Sequence, residues 1–507
     1  MSAKSVDMLR GGILRNMVIF ALPLLASGVL QQSFNSIDVA VVGRWCSKQS
    51  LAAVGSNGMI ISLIINLFIG ISVGANVVIA NAIGRADTDA VRRACRTAMA
   101  VALVSGFLVT AIGLAVTRPL LEAMDTPPDV IALSAQYLEI FFLGMPFMMV
   151  YNFGSAILRS KGDTRRPFYA LLAGGLVNVV LNLCFVLLLH MDVAGVAWAT
   201  VAANGVNAAL ILYFLRCEPD PYRFSWRTLA FSRRELGREL RIGVPAGVQG
   251  MLFSISNVFV QSAINRLGSD AVAGSAAAVN YEMYCYFLIV AVNQAVVAFM
   301  AQNYGAGEWR RCRRVFLIGM ALAVGSSMAA NLAIAALAPA FVGVFTHDAA
   351  VLEYGVMRVR HVLAFQFIAC SYEVGGAAMR GLGYSLTPTV ITVFGSCLLR
   401  IACIHVLIAT GYTYLSLMHL YPLSWSVTGI LALVAYYIIA RRTLRPRTPR
   451  SPNNGDPGEG GAIVRDGGAK RDAPFAASPN NGDPRRGWGN SAGWWSEARR
   501  PLRGKPQ

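Results

Sequence analysis

Asp38, in QQSFNSIDVAVVGR, sits well inside a long apolar run. A carboxylate at that depth is costly unless it takes up a proton, a cation or a polar partner, so the chemistry it offers is cation loading and release. Gln31 and Asn35 lie one or two helical turns earlier on related faces. In a later apolar run, Asn178 and Asn182 are four residues apart and share one helix face; Thr200 and Asn204 repeat that spacing in the next run. Tyr137 and Asn152, from a further run, can complete a polar lining. The oxygens of Asp38, Asn178 and Asn182 could hold H+ or Na+. Alternatively, these amides and hydroxyls are hydrogen bonds between helices.

The second half of the chain has no acid matching Asp38, because the corresponding stretch SISNVFVQSA offers only Asn257 and Gln261. Its deep acids are Glu282 and Glu373, with Arg400 as the available counter-charge and a Glu373–Arg400 ion pair as the expected arrangement. Gln31, Asn35, Asn204, Glu282, Glu373 and Arg400 are therefore the residues expected to line a substrate cavity. The clusters at 141–149 (Phe141, Met145, Met149) and 281–286 (Tyr281, Met283, Tyr286) could add an adaptable apolar wall, although packing is the commoner role for such residues.

These residues need long apolar elements to carry them, and the composition supplies them. Apolar residues make up 55% of the 507-residue chain and charged residues 14%, with a mean hydropathy of +0.53. That is more apolar surface than a soluble core hides, so the chain is expected to be a polytopic, all-α membrane protein. Windows of about 20 residues give twelve transmembrane helices, at about 15–43, 51–82, 95–117, 131–157, 168–190, 193–215, 242–265, 272–303, 315–345, 351–379, 388–410 and 420–440. The first span is expected to act as its own insertion signal, its run being too long for a cleaved signal peptide.

Lys and Arg crowd alternate loops, as at Arg92/Arg93/Arg96, Arg159/Lys161/Arg165/Arg166 and Arg310/Arg311/Arg313/Arg314. This bias predicts both termini in the cytoplasm of a multi-pass membrane protein. It also accounts for the net charge of +18 without a nucleic-acid partner. The nine cysteines are scattered singly with no metal-ligand spacing. No Walker A, HExxH or GxSxG motif is present, so neither ATP-driven transport nor an enzyme is expected.

The chain also repeats itself. Gly84 in ANAIGR and Gly305 in AQNYGAG lie about 221 residues apart. The same shift carries LRSKGDTRRP onto MRGLGYSLTP and Arg159 onto Arg380, and a nearly equal one pairs Pro23 with Pro245. Two homologous six-helix lobes follow, 1–215 and 242–440, joined by a basic cytoplasmic linker at 216–241 lying on the membrane surface and followed by a disordered basic tail at 441–507.

IDVAVVGR, LAAVG, ANAIGR with AQNYGAG, LRSKGDTRRP with MRGLGYSLTP, and YPLSW together resemble the multidrug and toxic compound extrusion (MATE) family, over roughly residues 12 to 440. The resemblance implies two lobes in a V shape that open alternately to either side and export organic cations and other amphipathic drugs in exchange for H+ or Na+. It carries a cation-coupling role onto Asp38, Tyr137, Asn152, Asn178, Asn182 and Thr200. No further cofactor is expected, and the protein is expected to act as a monomer on small drug-like molecules. A lipid-linked precursor flippase of the same wider architecture is the nearest alternative. It would favour an Arg- and Lys-rich cavity, whereas Arg400 reads as almost the sole basic residue inside the spans. A receptor or scaffold working through the tail is a third reading.

Overall fold

The computed structural model describes residues 5–124 and 126–444, and the regular structure among them is entirely helical. The tail expected to be disordered lies outside the described residues from position 445 on. In chain order the spans are α1 Ile13–Trp45, α2 Lys48–Gly84, α3 Thr88–Ala123, α4 Pro128–Leu143 with Met145–Ser160, α5 Arg165–Leu188 and α6 Asp192–Arg216. The second set is α7 Arg233–Asn265, α8 Ser269–Gly305, α9 Trp309–Ala336, α10 Ala349–Gly381, α11 Leu386–Thr410 and α12 Tyr414–Thr443. Eleven are long and apolar enough to cross a membrane as single helices, and α4 makes the twelfth as a pair bent by 46°.

The irregularities follow the residues. Gly144 separates the halves of α4, and Pro146, which has no amide proton to donate, stands in the first turn of the second half. Pro23 and Pro245 lie inside α1 and α7 at matching places in the two halves. The single span expected at 315–345 is broken: α9 ends at Ala336, and Ala338–Gly343 forms a separate short helix beginning at Ala338-Pro339. The centre of α10 tightens into a 3-10 turn at Leu363–Ala369. Exposed Leu176 and Val180 on α5 and Leu332 on α9 are the kind of surface that lipid covers.

Helices α1–α6 pack as one lobe and α7–α12 as another, and the lobes meet chiefly where α2 crosses α7 and α8. Glycine permits that crossing. A Cβ on Gly70 would stand 2.1 Å from the backbone N of Gly247, and one on Gly74 would stand 2.2 Å from the carbonyl oxygen of Glu239. At the ends of α2 and α8, a Cβ on Gly84 would lie 2.0 Å from the Gln302 carbonyl oxygen, and one on Gly305 would lie 2.2 Å from the Asn81 carbonyl oxygen. The two repeat-related glycines thus clear space for each other's half.

The linker is shorter and better anchored than its sequence indicated. Because α7 begins at Arg233, residues 233–241 belong to a span, leaving 217–232 as the connection. That connection docks on the first lobe. Glu218 is buried and paired with Lys161 and Arg166, Asp220 pairs with Arg92, Phe224 is buried, and Ser232 N–H donates to Thr97 Oγ1 at 3.1 Å.

Candidate functional site

Two polar centres emerge, one inside the first lobe and one facing the cleft between lobes. The first is built by α5 lying between α1 and α6. Gly175 lets α5 approach α1 so closely that a Cβ there would stand 1.8 Å from Phe34 Cε2, and one on Gly174 would stand 2.0 Å from Asn207 Oδ1 of α6. One and two turns further along α5 come Asn178 and Asn182. Asn182 donates through Nδ2 to Asp38 Oδ1 at 2.5 Å, and Asn178 Nδ2 lies 3.4 Å from Thr200 Oγ1, whose own proton goes to the Val196 carbonyl at 3.1 Å. Both amides are buried, and their carbonyl oxygens, Asn178 Oδ1 and Asn182 Oδ1, have no hydrogen-bond partner. The carboxylate and the two unpartnered carbonyl oxygens are oxygen donors of the kind that suits a hard monovalent cation or a proton, and in this structure the Asn182 N–H faces Asp38.

Tyr137 stands beside this centre, whereas Asn152 is placed differently, as are Gln31 and Asn35, which were expected to line the substrate cavity. Tyr137 is buried in an apolar cluster with Val41 and Val42 of α1 and stacks on Phe141 at 6.5 Å. Asn152 turns back on its own helix, donating to the Met148 carbonyl at 3.0 Å. Gln31 and Asn35 are exposed.

The second centre is a cavity of about 600 Å³ walled mainly by α2, α7, α8, α10 and α12, with a contribution from the end of α4. Gln31, Asn35, Asn204 and Arg400 are not part of its wall, so only Glu282 and Glu373 of the expected cavity residues line it. Nor does Glu373 pair with Arg400. Glu373 accepts from Tyr286 Oη at 3.0 Å and from Asn293 Nδ2 at 2.6 Å, while Arg400 donates to Asn257 Oδ1 at 3.2 Å and Ser424 Oγ at 3.1 Å and stacks 4.6 Å over Tyr421. The reason is local: α8 brings an amide and a phenol to Glu373, and α7 and α12 surround the guanidinium of Arg400 with neutral acceptors and aromatic faces. The cavity's ion pair is Glu282 with Arg358, through Nε at 2.6 Å and Nη2 at 3.0 Å.

Arg358 is the residue the sequence reading passed over, and Arg159 and Arg380 are two more on the cavity wall. Arg159 donates to Gln294 Oε1 at 2.7 Å and Arg380 to Gln249 Oε1 at 2.8 Å. The scarcity of basic residues inside the spans, used against a flippase, therefore does not hold. A buried Glu282 in need of a counter-charge was the available signal for Arg358. Of the methionine and aromatic clusters, Met283 and Tyr286 reach the cavity, whereas Phe142, Met145 and Met149 are core.

Twelve helices in two pseudo-repeated lobes around a polar cleft are the architecture of a membrane transporter. The MatE family pattern matches residues 23–184 and again 245–405, once in each lobe. The chain belongs to the MATE family of multidrug efflux transporters. It is 30% identical to the probable multidrug resistance protein YoeA of Bacillus subtilis over 83% of this chain and 93% of that one. It is 25% identical to the probable multidrug resistance protein NorM of Thermotoga maritima, over 75% and 82%. Among solved structures, a MOP superfamily transporter from Pyrococcus furiosus superposes with a TM-score of 0.81 at 24% identity, covering 88% of this chain and all of that one. The family is one of transporters rather than enzymes, and the chain is a multi-pass membrane protein.

Proposed function

We propose that this protein is a secondary active exporter of amphipathic small molecules, driven by exchange for H+ or Na+ at Asp38. It would work as a monomer in the bacterial cytoplasmic membrane with both termini inside. The observation that carries this reading is the Asp38–Asn182 contact beside the unpartnered oxygens of Asn178 and Asn182. A cation entering that set would take those oxygens as ligands and alter how α1 packs on α5. Since α1 also packs against α8 of the other lobe, a change there has a route to the interlobe cleft. The ion biases the two states only by its differential affinity for them.

The close approaches between α2 and α7 fall after Asn66 on α2 and before Ser254 on α7. With basic loops inside, that end is cytoplasmic, and the arrangement reads as outward-facing. The arginines in the cavity favour the flippase reading in one respect. It is set aside because Glu282 and Glu373 share the wall and because the matched relatives are named for multidrug resistance.

The test is efflux of a fluorescent amphipathic dye from proteoliposomes, with pH and Na+ gradients imposed separately. One gradient should drive export, and Asp38→Asn should abolish the response to it. Export that ignores both gradients, or that keeps its cation dependence in Asp38→Asn, would overturn the assignment.

A further inference from the structure

Arg159 and Arg380 occupy corresponding positions in the two repeats, and both line the one cavity. Neither forms a salt bridge among the described residues; the ion pairs there involve Arg92, Lys161, Arg166, Arg238 and Arg358. Each is held instead by the amide oxygen of a glutamine, which orients a guanidinium without neutralising it. Arg380 is only 8% exposed, and its Nε has no hydrogen-bond partner. An arginine has five N–H donors in a planar fork suited to two oxygens of one anion, so most of that capacity remains unspent at both positions.

Both arginines border one stretch of α8, Arg159 through its side chain and Arg380 through the neighbouring backbone, while the Arg380 guanidinium reaches Gln249 on α7. Gln294 receives Arg159, the adjacent Asn293 holds Glu373, and Gly381, next to Arg380, packs on Met300 and the Val297 carbonyl. Glu282 is already committed to Arg358, while Glu373, held only by the neutral donors Tyr286 and Asn293, keeps its charge and acts on Arg380, so the wall carries three arginines against two acids. Phe253, Phe287 and Trp425 on the wall supply aromatic faces for an apolar body.

On the reading that this cavity is the substrate site, we infer that its substrates are amphipathic small molecules bearing a carboxylate or phosphate, with the anionic group bound between Arg159 and Arg380. A purely cationic dye then lacks the group the cavity is built to receive, while a zwitterion carries it.

Matched probes test this by equilibrium binding, with no gradient, so the outcome does not depend on how transport is coupled. Full-length protein in phosphatidylcholine nanodiscs is titrated with rhodamine 110, which has a free benzoate, and with rhodamine 123, its methyl ester, and read by fluorescence polarisation. A second arm compares competition by 4-methylumbelliferyl phosphate and by 4-methylumbelliferone. The expected result is a preference of about tenfold or more for the anionic member in at least one arm. Arg159→Gln and Arg380→Gln should each erase most of that preference, and Arg159→Lys and Arg380→Lys should restore part of it. Equal or tighter binding of the uncharged or cationic members in both arms, or a preference that survives both glutamine substitutions, would overturn the inference. Failure of Asp38-dependent coupling would leave this binding result intact, so the two readings fall separately.

Discussion

Glu282 and Arg358 set the strongest electrostatic constraint on any single side chain of the cavity. Both are largely buried, with side-chain exposures of 11% and 5%, and among the described residues each presents the other with its only full opposite charge at contact distance. Breaking such a pair from one side leaves a buried charge unpaired, which costs ~3–5 kcal/mol. Replacing both partners by neutral groups costs much less. Glu282→Gln should therefore lower stability in detergent markedly, and Glu282→Gln with Arg358→Met should recover most of the loss, as read by the midpoint of thermal unfolding. At this scale the sequence was readable where one residue sufficed. Asp38 declared itself as an acid inside an apolar run, and Asn182 as its partner. The choice among Glu282, Glu373, Arg358 and Arg400 was not readable, because helices α7, α8, α10 and α12 decide which groups meet, and their rotations are not written in local spacing.

The helices themselves were legible because the bilayer fixes their length, and apolar runs of about 20 residues mark them directly. Their ends were less so. Arg159 and Arg380 stand next to the loop sequences KGDTRRP and GLGYSLTP and read as cytoplasmic, yet α4 and α10 run through Ser160 and Gly381 and carry both arginines onto the cavity wall. The linker's anchoring was not legible for a related reason, since it rests on Glu218 meeting Lys161 and Arg166 from a distant loop. Burial pushes the Glu218 carboxyl up, but the Lys161 ammonium and the Arg166 guanidinium outweigh it and hold it below the ordinary range. A depressed folded-state value means this anchor is fully present above the unfolded carboxyl value of about 4.3 and is lost as pH falls from there through the folded value. Proteolysis within 217–232 should accordingly accelerate on acidification below about pH 4 using an acid-active protease. Glu218→Gln should show the faster cleavage already at neutral pH, with a smaller further change on acidification that comes from the Asp220–Arg92 pair.

For the molecule as a whole, the division of labour between lobes follows from what the repeat kept and what it changed. Where the first lobe joins α1 to α5 by Asp38 and Asn182, the second joins α7 to α11 by Asn257 and Arg400, so the charge at the corresponding helix contact changes sign. On the proposed function, the carboxylate of the first lobe would serve the cation, while Arg400 gives the second lobe's equivalent contact the opposite sign. The proposed exchange between inward and outward states would require the α2–α7 contact to part. Asn66 Nδ2 donates to Ser254 Oγ across it at 2.9 Å. Asn66→Cys with Ser254→Cys, joined by a short thiol cross-linker, should arrest export, and either single substitution treated in the same way should not; dye efflux in proteoliposomes reads the difference.

The reciprocal clearance of Gly84 and Gly305 also makes mutation at this crossing a shared event rather than two private ones. A methyl group on either residue strikes a carbonyl oxygen of the opposite half at the same helix crossing, and the simplest relief in both cases is to move α2 and α8 apart. Once one intrusion has forced that separation, the second finds the space already open. Gly84→Ala with Gly305→Ala should then destabilise by clearly less than the sum of the single changes, with a coupling of about 0.5 kcal/mol or more in a double-mutant cycle. Two residues more than two hundred positions apart would behave as one genetic site, each tolerating change best when the other has already changed.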